Sequence, residues 1–169
     1  MSDTQPDLPS GYGIALPEGY RLVPLTEDHL MDVIAVERAV FPTEAWSSEM
    51  LREELTGPYR FYVGVFDPDD TLVGYGGAMR MGDAVEIMTV GVEAHARGLG
   101  LGEALTRTLI ESARESDCPE IFLEVRESSN LAQALYRKLG FVEIDRRPRY
   151  YHNPTEDAII MRLETDCAS

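Results

Sequence analysis

A chain of 169 residues with 44% apolar side chains is long enough for one ordinary domain with its own core, and no apolar run in it approaches the roughly 20 residues of a membrane span. Its net charge of −15 repels phosphate, which excludes a general nucleic-acid binder and suits a cationic substrate or a basic partner. Two distant cysteines, Cys118 and Cys167, and three histidines without ligand spacing, His29, His95 and His152, indicate no metal site and fit a reducing, cytoplasmic compartment.

Residues 1–18 are rich in Pro, Gly, Ser and Asp and show neither a basic nor an apolar leader segment. They are expected to be a flexible tail, with the folded domain at 19–165. "YRLVPL" (20–25) reads as a strand. Thr26 then stands as an N-cap, and Leu30, Ile34 and Glu37/Arg38 continue a helical period until Pro42 stops it. Ser47 caps a second, short helix through Leu55, closed by Gly57 and Pro58. "RFYVGVF" (60–66) and "TLVGYGGAMR" (71–80) flank the turn "DPDD" and predict a hairpin. "AVEIMTVGV" (84–92) adds a third strand, in which Gly91 predicts a bulge. Leu101, Leu105 and Leu109 then recur every four residues, as on the buried face of a helix. "EIFLEV" (120–125) is a buried strand, and "SNLAQALYRKLG" (129–140) is a helix ended by Gly140. "FVEIDRR" and "DAIIMRL" are the last two strands. The order β-α-α-β-β-β-α-β-α-β-β predicts an α/β fold whose sheet is antiparallel at first and crosses over in its second half.

Between the third strand and the leucine-rich helix lies "HARGLGLGEAL" (95–105). Glycine loses more chain entropy on ordering than any other residue, so Gly98, Gly100 and Gly102 at alternate positions need a reason. They stand at a helix N-terminus, where free N–H groups and the positive end of the dipole favour an anion. A backbone without side chains lets a phosphate or pyrophosphate reach those donors. A P-loop would need a Lys that is missing near this loop. A dinucleotide fingerprint would need a third Gly where Glu103 stands, and too little chain follows for a dinucleotide domain. The pattern that fits is R/Q-x-x-G-x-G/A, as Arg97-Gly98-Leu99-Gly100-Leu101-Gly102. Taken alone, those six residues also suit a tight strand-to-helix turn.

They do not stand alone. "IMTVGVEAHARGLGLGEAL" is followed by "LEVRESSNLAQALYRKLGF" and "RRPRYYHNPTEDAIIM". On this set the sequence, from about Tyr20 to Leu163, resembles the GCN5-related N-acetyltransferase (GNAT) superfamily. Within it the set is similar to the RimI-type branch, which in bacteria acetylates the N-terminal amine of a small-subunit ribosomal protein. "FPTEAWSSEML" resembles that branch's "FPW" stretch, with a short insertion before Trp46. The resemblance implies the GNAT acyl-CoA N-acyltransferase fold, a mixed, mostly antiparallel sheet flanked by helices. It also implies acetyl-CoA as co-substrate and the N-terminal peptide of a protein as partner, with neither nucleic acid nor membrane involved. The amine attacks directly in a ternary complex, and Cys118, before Pro119 at a strand start, is no covalent carrier.

By the same resemblance, Arg97, Gly98, Leu99, Gly100, Leu101, Gly102 and Glu103 hold the pyrophosphate. Val90, Gly91 and Val92 pair their backbone with the pantetheine arm like an added strand, with one N–H facing the thioester oxygen. An α-amine titrates near about 7.7–8.0 and a Lys near about 10.4, so about one α-amine in ten is already neutral at pH 7 and a modest base suffices. Glu124, closing "FLEV", corresponds to the branch's proposed general base, acting directly or through a water. Its other reading is an ion pair with Arg126 or Arg137. Tyr136, in "ALYRKLGF", protonates the departing sulfur; its other reading is a core aromatic. Where the family places an Asn on the pantetheine, this chain has Ser129, with Asn130 one place later. Either the serine keeps a shorter hydrogen bond or the helix start shifts to bring Asn130 in. Trp46, Tyr150 and Tyr151 border the peptide, Arg149 meets an acidic residue of it, and the acid-rich helix at 45–55 forms the opposite wall. Two rivals remain: the same fold acting on a Lys side chain or a small-molecule amine, and a non-catalytic CoA-binding or partner-binding module.

Overall fold

The computed structural model describes residues 14–165. Residues 1–13 of the expected tail, and Cys167, lie outside the described residues. Leu16, at the inner end of that tail, packs against the main core. The elements follow in the expected order: β1 (Arg21–Pro24), α1 (Leu30–Val40), α2 (Ser48–Thr56), β2 (Arg60–Phe66), β3 (Leu72–Met81), β4 (Ala84–Val92), α3 (Leu101–Glu115), β5 (Glu120–Arg126), α4 (Asn130–Lys138), β6 (Val142–Tyr151) and β7 (Glu156–Glu164). Thr26 caps a single 3-10 turn, Glu27–His29, that leads into α1. Its hydroxyl accepts from Asp28 N at 3.2 Å, and its own amide donates to His29 Nδ1 at 2.9 Å. Ser47 Oγ accepts from Met50 N at 3.2 Å and starts α2.

The strands form one sheet in the order β1-β2-β3-β4-β5-β7-β6. Neighbours are antiparallel except β4 and β5, which α3 joins as a crossover. Residues alternate between the two faces of β2 and so divide between two cores. Val63 and Val65 pack with Leu105 and Leu109 of α3, whereas Tyr62 and Phe66 pack with Val33, Val36 and Leu51 of α1 and α2. The leucine stripe read from the sequence is fully buried, with Leu105 and Leu109 at 0% exposure. Truncating either to Ala costs about 2–5 kcal/mol.

Two irregularities set up the site. In the β3–β4 ladder Ala78 pairs with Ile87 but Gly77 pairs with Thr89, so Met88 is the extra residue of a bulge. The sequence placed that bulge at Gly91. Gly91 instead keeps register opposite Tyr75, and its missing side chain admits the end of α1: a Cβ there would stand 3.0 Å from Val40 Cγ1 and 3.2 Å from Phe41 Cε2. The parallel β4–β5 ladder runs only from Ala84/Glu120 to Ile87/Leu123, stopping where the bulge begins. Beyond it β4 stays on β3 through Val92, and β5 stays on β7 through Arg126. The sheet therefore opens between them.

Candidate functional site

Where β4 and β5 part lies a cavity of about 290 Å³, lined by Met88 to Val90 on one strand and Leu123 to Arg126 on the other. Past Ile87, β4 has β3 on one edge and, among the described residues, no strand on the other. An unpaired strand edge inside a protein is a template for an extended ligand. Val90 lines the cavity, and Gly91 and Val92 continue the same edge.

Glu124 and Tyr136 approach this cavity from opposite faces of the sheet. Ile121, Leu123 and Val125 of β5 are buried in the core shared with α3 and α4, so alternation turns Phe122, Glu124 and Arg126 the other way. The Glu124 side chain is 19% exposed and lies 3.4 Å from Arg147 of β6. The Tyr150 hydroxyl also donates to it, and that bond, followed by burial, pushes the Tyr150 phenol up. Neither expected ion-pair partner is there: Arg126 pairs with Glu44 and Glu156, and Arg137 reaches Gln133. Tyr136 projects from α4, its ring edge-on to Phe141 at 5.8 Å. It is a core-packed ring, one of the two readings the sequence left open, and it also lines the cavity. Its hydroxyl makes no hydrogen bond among the described residues, and burial pushes it up to about 12.

The glycine loop turns the chain from β4 into α3. Gly98 and Gly100 have φ of +82° and +77°, and a Cβ at either would meet nothing within 4 Å. Left-handed backbone is the reason for glycine here, and the space beyond is open. At Gly102 a Cβ would meet only Leu135 Cδ2 and Val92 Cγ2, each at 4.0 Å. The bond from Ala104 N to Gly100 O, 3.0 Å, starts the α3 ladder, so the amides of Leu101, Gly102 and Glu103 are the free donors of its first turn. Leu101 offers backbone alone, its side chain being in the core, while Leu99 is exposed at the tip. Arg97 Nε turns back to donate to Val92 O at 3.2 Å. Glu103 bonds Lys138 and Arg107, at 3.0 and 3.1 Å, and these cations hold its carboxyl below the usual range. It thereby gathers two positive side chains beside the loop. An uncovered set of amides at a helix N-terminus, flanked by cations, fits a pyrophosphate.

Of the expected peptide-contacting residues, Trp46 and Tyr151 line the cavity. Tyr150 stands edge-on to Tyr151 at 5.1 Å and reaches the site through Glu124. "RRPRYY" is the end of β6, with an irregularity where Arg149 takes φ +53° and donates its amide to Asp157 Oδ1 at 3.0 Å. Ser129 lines the cavity; Asn130, exposed on the first turn of α4, does not. The acid-rich α2 does not form the opposite wall. None of it lines the cavity, and Glu54 is engaged by Arg60 and by the Tyr62 hydroxyl.

That wall comes from α1 and the loop after it, through residues the sequence did not single out. Glu37, 2% exposed, accepts from the Tyr75 hydroxyl at 2.5 Å and from Trp46 N at 2.8 Å, which fixes Trp46 at the rim. Hydrogen bonds to a buried carboxylate are worth about 1.5–3 kcal/mol each. Glu44 reaches across to Arg126, which also bonds Glu156 at 3.1 Å and lies 4.3 Å over the Tyr151 ring. Arg126 so straps the α1–α2 loop to β5 and β7.

Residues 30–141 match the model of the acetyltransferase (GNAT) family. The N-alpha-acetyltransferase RimI of Mycobacterium tuberculosis is 36% identical over 126 residues, which cover 72% of this chain and 77% of that protein. An uncharacterized Mycobacterium leprae protein is 40% identical over 123 residues, 70% of this chain but 33% of that one, so the match spans about a third of that relative. Among solved structures, the ribosomal-protein-S18-alanine N-acetyltransferase of Escherichia coli superposes with a TM-score of 0.81 at 26% identity, over 89% of this chain and 96% of that one.

Proposed function

Because the chain belongs to the GNAT acetyltransferase family, with acetyl-CoA as its donor, we propose that it acetylates the N-terminal α-amine of a protein, a small-subunit ribosomal protein being the acceptor. The names of the relatives support this acceptor: one is an N-alpha-acetyltransferase and one a ribosomal-protein-S18-alanine N-acetyltransferase. The observation that carries the reading is the gap between β4 and β5, with a carboxylate reaching it from one face and an unbonded phenol from the other. No helix among the described residues is long and apolar enough to cross a membrane.

Acetyl-CoA supplies a thioester activated toward amines. The amides of Leu101, Gly102 and Glu103 grip its pyrophosphate at the positive end of α3, with Lys138 and Arg107 balancing charge. Val90 to Val92 hold the pantetheine arm along the free edge of β4, and Ser129 offers it a hydroxyl. Trp46 and Tyr151 border the acceptor. Glu124, oriented by Arg147 and Tyr150, receives the proton that the α-amine sheds as it attacks. Tyr136, held protonated by burial, gives its proton to the departing sulfur.

The test is acetyl-CoA turnover, read by mass spectrometry, against N-terminal hexapeptides, an N-blocked Lys peptide and spermine. Acetylation of the α-amine of an Ala-starting peptide is expected. Acetyl on Lys or spermine alone replaces the acceptor, and CoA binding without turnover of any amine leaves a binding module. Glu124→Gln is expected to lower turnover by about 10²-fold with CoA binding retained.

A further inference from the structure

A second hollow, of about 300 Å³, adjoins the reaction cavity, and Glu124 lines both. Its lining comes from strands alone. Phe122, Ile160 and the half-exposed Met81 make an apolar floor, and its charged groups are Glu86, Glu124 and Arg147. Glu86 makes no hydrogen bond or ion pair among the described residues. Burial, and then the Glu124 carboxylate, push its carboxyl up. Arg147 already serves Glu124 at 3.4 Å, with 54% of its own side chain in water. Two partly buried carboxylates thus share one exposed guanidinium, and the hollow is short of a positive charge.

Resting on the acceptor reading above, we propose that this hollow receives the side chain of the second or third residue of the acceptor peptide and selects Lys or Arg there. The methylenes lie on Phe122 and Ile160 while the cation meets Glu86, the division of labour long basic side chains adopt at half-apolar surfaces. The span is right. Glu86 pairs opposite Phe122, and Glu124 is two residues further along β5. That is about 7 Å of strand rise and one strand spacing of about 5 Å, a distance that two residues of extended peptide, at about 3.3–3.6 Å each, cover in large part. The net charge of −15 draws a basic peptide toward the same place.

The full chain is assayed with acetyl-CoA and Ala-starting hexapeptides carrying Arg, Leu or Glu at position 2, and with a second set varied at position 3. At one of the two positions kcat/KM is expected to favour Arg over Leu by about three- to tenfold, and Leu over Glu by a similar factor. Glu86→Gln erases the preference and Glu86→Lys reverses it. Equal rates for Arg, Leu and Glu at both positions, or a preference for Arg that Glu86→Gln leaves intact, overturn the subsite while α-amine acetylation stands. Turnover of no peptide overturns the acceptor reading and the subsite with it. The wild-type panel decides even where a variant fails to fold.

Discussion

Tyr136 is held protonated by burial, with no charged neighbour among the described residues gripping it. Its proton therefore stays on across the working range. The pH–rate profile from pH 6 to 10 is expected to show no falling limb from this phenol, and Tyr136→Phe is expected to lower kcat by about 10²-fold without changing the profile's shape. A falling limb near pH 10 that disappears in Tyr136→Phe would refute this account of the phenol. Glu124 and Tyr136 were singled out because each lies in a continuous motif on which the family resemblance rests, and the strand end and helix that carry them could be read locally. Glu37, Glu86, Arg126 and Arg147 were not. Glu37 looked like any polar position of a helical period, and only tertiary packing buries it beside Tyr75 and Trp46. The meeting of Glu86, Glu124 and Arg147 joins three strands, β4, β5 and β6, and no local pattern records it.

The loop before α3 separates two uses of glycine that look alike in a sequence. Gly100 needs its φ of +77°, so Gly100→Ala is expected to cost about 1 kcal/mol of stability. It also tilts the first-turn amides, and the KM for acetyl-CoA should rise about tenfold or more. Gly102 has no such need, and a Cβ there meets its neighbours only at 4.0 Å. Gly102→Ala is expected to stabilise the helix by about 0.5–1 kcal/mol and to leave that KM within about twofold. Thermal melts and steady-state kinetics on the two variants check both statements. The sequence fitted β2 and β4 to the residue, 60–66 and 84–92, because each is a bounded run rich in β-branched residues, with aromatics added in β2. It misplaced the bulge because a strand glycine marks either a bulge or a close neighbour. At Gly91 the cause is the end of α1, and the bulged residue is a methionine.

For the molecule as a whole, the sequence carried the α/β class and the order of elements, but not the insertion of β7 between β5 and β6, since adjacent strands at a chain end give no sign of which is outermost. Stability against pH follows from groups spread over both cores and the surface. Burial pushes up Tyr62, Tyr75, Tyr136 and Tyr151, the last to about 12. Their contribution is complete below about pH 10, where the unfolded phenols titrate, and is lost as pH rises through the folded values. Glu103 and Glu156 are held low by their hydrogen bonds, so their contribution is present above the unfolded carboxylate value and is lost as pH falls through the folded one. Urea midpoints are expected to be flat near neutrality, to drop above about pH 10 with the tyrosinate absorbance of these buried phenols appearing only on unfolding, and to drop again in acid. The short seam between β4 and β5 has a further effect. Only the ladder from Ala84 to Ile87 stitches these two strands, and the remainder of the joint is left for a visiting molecule to complete. Adding coenzyme A is expected to slow hydrogen exchange at residues 88–92 and to delay proteolysis, by mass action on the closed form. The donor then acts as a keystone, set in place and withdrawn at every turnover, and a cell starved of it holds a looser enzyme.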